Sequence, residues 1–108
     1  MEAEAANPAR GDVPVVAGGR RRVMRLTLGS LAELEGRLGT GGLTGLADRF
    51  EVGRFSATDI IALLAAGFRG AGEEISEEEV AAMTFEGGAV GAAEAAIRLL
   101  TAAFRGTA

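Results

Sequence analysis

The chain has 108 residues, which fits one domain with a small core, and its 15 acidic and 11 basic side chains give a formal charge of −4 that argues against a nucleic-acid coat protein. It contains no His, Cys, Tyr or Trp, and every basic residue is Arg, which excludes disulfides, thiolate or imidazole metal sites, Ser-His-Asp triads and Schiff-base lysines. We therefore predict no enzymatic activity, no cofactor and no bound metal.

The N-terminal segment, residues 1–12, is rich in Ala and Glu and offers little apolar surface to offset the entropy of ordering, so we predict a flexible tail. Residues 13–108 are predicted to form a single domain. The N-terminus lacks the charged and apolar regions of an export signal. The longest apolar run, Ile60 to Phe68, is about half of the roughly 20 residues that cross a membrane. We expect a cytoplasmic protein without membrane contact.

A β-hairpin is predicted over residues 13–28, because two β-prone segments flank Gly18-Gly19. In the second segment Met24, Leu26 and Leu28 alternate with residues of the opposite face, which predicts one apolar side. Pro14 lacks a backbone N–H and therefore suits an edge strand.

The only basic cluster lies in this hairpin and consists of Arg20, Arg21, Arg22 and Arg25. It could contact phosphate, an acidic partner, or the acidic C-terminal third of its own chain. No Tyr or Trp is available to stack on bases, so nucleic acid is the disfavoured partner.

From residue 29 to 105 the apolar period changes to that of helices, and Ser followed three residues later by an acid marks three helix starts. Glu33 is also predicted to pair with Arg37 one turn further on. The fold class is therefore α+β, mostly α: an N-terminal hairpin and about five short helices in one compact domain. The three boxes are Ser30…Glu33, Ser56…Asp59 and Ser76…Glu79.

Two other segments invite a site interpretation that the residues do not support. The Gly-rich stretch 39–45 resembles a phosphate-binding loop, but Thr44 stands where the last Gly is needed, so we interpret it as a link between helices. A helix-turn-helix around Gly70–Gly72 would place Glu77, Glu78 and Glu79 against the DNA phosphates. Both groups are negatively charged and repel each other, so we do not interpret this segment as a DNA-binding motif. Helix capping accounts for this acidic run.

Four segments, in this order, resemble a small gene-transfer-agent and phage protein family labelled tail tube or tail assembly chaperone. They are Leu26–Glu35, Phe55–Ile61, Gly67–Gly72 and Ser76–Met83, and the likeness spans about Gly11 to Phe104. The resemblance implies a non-enzymatic role in building a tail in the bacterial cytoplasm, or an association with the virion. It implies the tape-measure protein and the tail tube protein as partners.

The working hypothesis is a chaperone that holds the tape-measure protein through apolar helix faces before the tube polymerises. The main alternative is a permanent, tube-associated tail component, and the second is a small nucleic-acid-binding protein that uses the Arg hairpin. A homo-oligomer is left open. The predicted partner-binding residues are Leu31, Leu34 and Leu38 of the first helix, Ile97, Leu100 and Phe104 of the last helix, and Arg20, Arg21 and Arg22.

Overall fold

The computed structural model describes residue 7 and residues 11–39, 43–51, 53 and 55–105. It confirms the predicted class, a hairpin followed by helices, although the last helix has 18 residues and is not short. The elements are β1 (Val13–Ala17), β2 (Arg20–Met24), α1 (Leu28–Leu38), α2 (Leu43–Glu51), α3 (Ala57–Gly70), α4 (Glu77–Ala81) and α5 (Gly88–Arg105).

The hairpin forms around the predicted Gly-Gly turn. Its antiparallel register runs from Val13 opposite Met24 to Ala17 opposite Arg20. Gly18 and Gly19 have φ values of 64° and 81°, the two positive angles that a tight two-residue turn requires.

The predicted second strand is too long, because the chain leaves the sheet after Met24. The Arg25 amide donates to the Gly67 carbonyl of α3 at 2.8 Å instead of continuing the ladder. As a result Leu28 begins α1 and is 79% exposed, although the alternation placed it on the apolar face. At the free edge of β1, the Glu86 amide donates to the Val16 carbonyl at 3.0 Å. Residues 84–86 therefore cover part of this edge.

Two of the three predicted capping boxes are confirmed, and one is wrong. Ser56 with Asp59 and Ser76 with Glu79 form complete boxes. The first helix instead begins one turn earlier, with the Thr27 hydroxyl accepting from the Ser30 amide at 3.0 Å. Thr27 is itself a good cap, and the earlier start buries Ser30 inside the fold.

Charged side chains tie the helices to one another across the chain. The predicted pair of Glu33 with Arg37 is wrong, because both residues bond to other elements: Arg69 donates to Glu33, and Arg37 makes two bonds to Glu77. Long charged side chains on a helix surface can pair with a residue of a neighbouring element instead of with the residue one turn away on their own helix. These contacts join α1 to α3 and to α4.

The core is centred on α3, which packs against α1, α4, α5 and β2, as its nearly all-round apolar sequence predicts. Two glycines let it approach the hairpin: a Cβ on Gly67 would lie 3.1 Å from the Met24 Cβ, and one on Gly70 would overlap the Arg25 carbonyl. The largest fully buried side chains are Met24, Leu34, Leu46, Leu63, Leu64, Phe68 and Leu99.

The predicted tail lies mostly outside the described residues. Its last member, Asp12, belongs to the folded body: it is 5% exposed, and its carboxylate accepts from the Arg25 Nε at 2.6 Å. Asp12 thereby anchors the start of β1 to the segment that follows β2.

Candidate interaction surfaces

An apolar groove opens between α3, α4 and the start of α5, and it encloses about 320 Å³. One wall is branched and aliphatic, from the α3 residues Ile60, Ile61 and Leu64. The facing wall is the first turns of α5, which contribute only small residues there, among them Ala89 and Ala92. Because these side chains are too short to fill the space opposite α3, the groove stays open.

The lining of the groove suits an apolar side chain. Thr84 carries the only polar side chain among its lining residues. Sites for small polar ligands combine an apolar wall with several converging polar groups that fix orientation, and this groove lacks such a set. The remaining lining is supplied by Ala57, Val80, Ala81, Met83, Phe85 and Gly88.

Eight of the twelve residues that line the groove belong to the most acidic part of the chain. Residues 70–97 contain seven Glu and no Arg. Glu73 and Glu77 are paired with arginines from β2 and α1. Among the described residues, no cation pairs with the exposed Glu78, Glu86 or Glu94. This segment of the chain therefore carries an excess of negative charge.

A second surface, which we name the α5 stripe, consists of Val90, Ile97 and Phe104. These residues are 68%, 43% and 44% exposed, while Leu99 on the opposite side of the helix is buried. Their spacing of seven residues places them in one line along the helix, over about 21 Å at a rise of 1.5 Å per residue. We treat this line of exposed apolar side chains as a candidate contact surface.

The fold and both surfaces lie within one family match. The family model described as phage tail tube protein, GTA-gp10, matches residues 10–106. The chain belongs to this family. A search of curated proteins and a search of solved structures each found no significant match. The match spans the hairpin and all five helices, and it confirms the predicted relation to gene transfer agents and phage tails.

This tail protein uses the predicted leucines of α1 for its own core. Leu34 is 2% exposed, Leu31 is 9% exposed, and Leu38 is half-buried against the core. Of the three predicted α1 leucines, only Leu38 therefore keeps part of its side chain at the surface.

The predictions for the last helix divide between surface and core. Ile97 and Phe104 are exposed and belong to the α5 stripe, whereas Leu100 is 5% exposed and packs inward. Sequence reasoning missed Val90, although its seven-residue spacing from Ile97 was the available signal. The groove was missed entirely.

The basic cluster of the tail protein is largely paired within the chain. Arg22 contacts the Glu73 carboxylate, donates to the Ala17 carbonyl at 2.8 Å, and lies 5.7 Å from the centroid of the Phe68 ring. Arg20 reaches the same carboxylate at 3.5 Å. Of the three alternatives, the structure therefore shows contact with the chain's own acidic third. Arg21 is exposed.

The Gly-rich stretch 39–45 and the segment around Gly70–Gly72 show no feature of a binding site in their described residues. Gly39 ends α1 with φ 64°, and its amide donates to the Glu35 carbonyl, while residues 40–42 lie outside the described residues. The helix after Gly70–Gly72 has five residues and carries three Glu in its first turn. Within the described ranges, acidic side chains form no metal-ligand cluster, and no helix is both long and apolar enough for a membrane span.

Proposed function

We propose that this tail protein is a tail assembly chaperone that binds a helical segment of the tape-measure protein before the tube polymerises. It acts by binding, without catalysis, in the bacterial cytoplasm. The observation that supports this most directly is the α5 stripe, an exposed apolar line on a helix that is otherwise held by the core.

The geometry of the stripe selects a helix as its partner. Side chains repeated every seven residues match the period of two helices that wind around each other. Glu94, Arg98 and Thr101 lie along one side of the stripe, which gives the apolar line a polar border on that side. A long helical protein with the same seven-residue apolar pattern would align with it over about four turns.

The helix presents the stripe in a fixed orientation. Ala95, Ala96 and Leu99 are fully buried on the inner face of α5. Because the α5 backbone is already ordered, binding a partner does not include the entropic cost of forming this helix. Truncating one of the stripe residues should therefore affect binding far more than it affects folding.

Co-expression with a tape-measure fragment tests the proposal. Val90→Asp removes one stripe residue at the start of α5, where an acid is compatible with the helix dipole. The matched control is Leu28→Asp, which makes the same kind of change at the first residue of α1, 79% exposed and outside α5. The wild type and the control should keep the fragment soluble, and Val90→Asp should not.

Two results would contradict the chaperone function. The fragment could remain equally soluble without the tail protein, or Val90→Asp could protect it as well as the wild type does. Either result would remove the link between the α5 stripe and the tape-measure protein.

A permanent structural role in the tail is the second candidate, favoured by the family description as a tail tube protein. Mass spectrometry of purified particles separates the two functions. A chaperone is absent from finished particles, whereas a tube-associated component is present at a fixed ratio to the other tail proteins.

A further inference from the structure

We infer that the groove binds the C-terminal half of α5 from a second copy of this chain, so that copies join head to tail. The inference goes beyond the proposed function, although it uses two residues of the same α5 stripe, Ile97 and Phe104. It rests on two surfaces that are complementary in apolar character and in charge.

The two surfaces are complementary in their apolar character. The groove is an open space of about 320 Å³ with one polar side chain in its lining, and it lacks a large apolar group to fill it. Ile97 and Phe104 are large apolar groups, 43% and 44% exposed, two helical turns apart in one line. Inserting either of them removes apolar surface from water on both partners.

The charges are complementary as well. Eight of the twelve residues that line the groove lie within residues 70–97, where every charged residue is Glu. Residues 98–105 reverse this pattern, with Arg98 and Arg105 and no acid. Arg98 is exposed and follows Ile97 directly, so a second copy of the helix end would bring its positive charge to the acidic segment that supplies most of the groove lining.

A single copy cannot make this contact with itself. The groove uses Ala89 and Ala92 at the beginning of α5, whereas Ile97 and Phe104 lie on a different face of the same helix. These four residues belong to one continuous helix of 18 residues, so the end of α5 cannot fold back onto its start. Only another molecule can bring the two together.

The contact joins two different surfaces, and this determines the form of the assembly. Each added copy leaves one groove open at one end and one stripe open at the other, so the copies form a ring or an open chain. The contact area is that of one helix end, below that of stable complexes, so the association is weak and depends on concentration. A tape-measure helix on the stripe would compete with it.

Sedimentation of the isolated tail protein up to about 1 mM tests the inference. Ala89→Arg fills the groove with its own side chain, and Ile97→Asp removes an apolar side chain from the stripe. The control Ala32→Arg adds the same charge at an exposed position of α1 outside the groove. The wild type and the control should gain mass with concentration, and each of the other two variants should remain a monomer.

Mixing the two monomeric variants is the decisive measurement. Ala89→Arg retains an intact stripe and Ile97→Asp retains an intact groove, so an equimolar mixture should form dimers and nothing larger. Arg98→Glu, at an exposed position, weakens the charge attraction without altering the core and should lower the association constant. Circular dichroism shows whether each variant has kept its helices.

Three outcomes would overturn the inference: a wild type that remains monomeric over the whole range, an Ala89→Arg variant that associates like the wild type, or a mixture that stays monomeric. The second outcome would indicate that stripes pair with each other. None of these measurements contains the tape-measure protein, and Ala89→Arg should still keep the tape-measure fragment soluble. The inference and the proposed function can therefore fail separately.

Discussion

Replacing Gly70 with Ala provides a direct test of how α3 meets the segment after β2. A Cβ at this position would lie 2.8 Å from the Ser30 hydroxyl oxygen and would overlap the Arg25 carbonyl. The carbonyl belongs to the backbone, so it cannot rotate away as a side chain would. The Arg25 segment must move, and with it the hydrogen bond from the Arg25 amide to Gly67.

The size of the effect follows from three contributions. Forcing extra volume into a packed site costs about 1–3 kcal/mol, and a backbone clash belongs at the upper end. Loss of the Arg25 hydrogen bond adds about 1 kcal/mol. Ala is a better helix former than Gly, which returns about 1 kcal/mol. We expect the free energy of unfolding to fall by about 2–3 kcal/mol and Tm to fall by at least roughly 8 °C.

Thermal and urea unfolding of Gly70→Ala and Gly36→Ala make a matched comparison. Gly36 is inside α1, and a Cβ there would have no neighbour within 4 Å. The same substitution should therefore raise the free energy of unfolding at Gly36, by about 0.5–1 kcal/mol. A Gly70→Ala protein that melts at or above the wild-type temperature would refute the close packing of α3 on the hairpin exit.

Three further substitutions test individual contacts. Thr27→Val removes the cap of α1 and should lower the free energy of unfolding in urea by about 1 kcal/mol; an unchanged midpoint would place the helix start elsewhere. Asp59→Asn should be destabilising, and a double-mutant cycle with Arg49→Met should give a coupling above about 0.5 kcal/mol, because the two side chains share two hydrogen bonds. Glu73→Gln should cost about 1 kcal/mol at low salt and less in about 1 M salt, where screening weakens its pairing with Arg22; a loss independent of salt would contradict this.

Local signals in the sequence predicted most of the elements. The positive-φ turn of Gly18-Gly19 and the boxes at Ser56 and Ser76 each involve residues at most three apart, so a single sequence contains them. The end of β2 was mispredicted, because it depends on a bond from Arg25 to Gly67, far away in the chain. The start of α1 was mispredicted because Thr27 and Ser30, three residues apart, could each serve as the cap.

The interaction surfaces were predicted only in part, for the same physical reason. Apolar spacing identifies which residues share a helix face, and this was sufficient to select Ile97 and Phe104. It does not show whether the face is covered: Leu31, Leu34 and Leu100 also have helical spacing, and they lie in the core. The groove is formed by small residues of α5 opposite α3, and no sequence pattern places these two helices side by side.

The central claim, that the tail protein docks another helix on the α5 stripe, is tested most directly by methyl NMR during titration with a tape-measure fragment. The exposed methyl groups of Val90 and Ile97 report on the stripe, and those of Leu28 and Val16, also exposed, report on the rest of the surface. We predict that the Val90 and Ile97 signals shift or broaden while the Leu28 and Val16 signals stay in place. Shifts confined to Leu28 and Val16, or no shifts at all with the fragment in excess, would contradict the account.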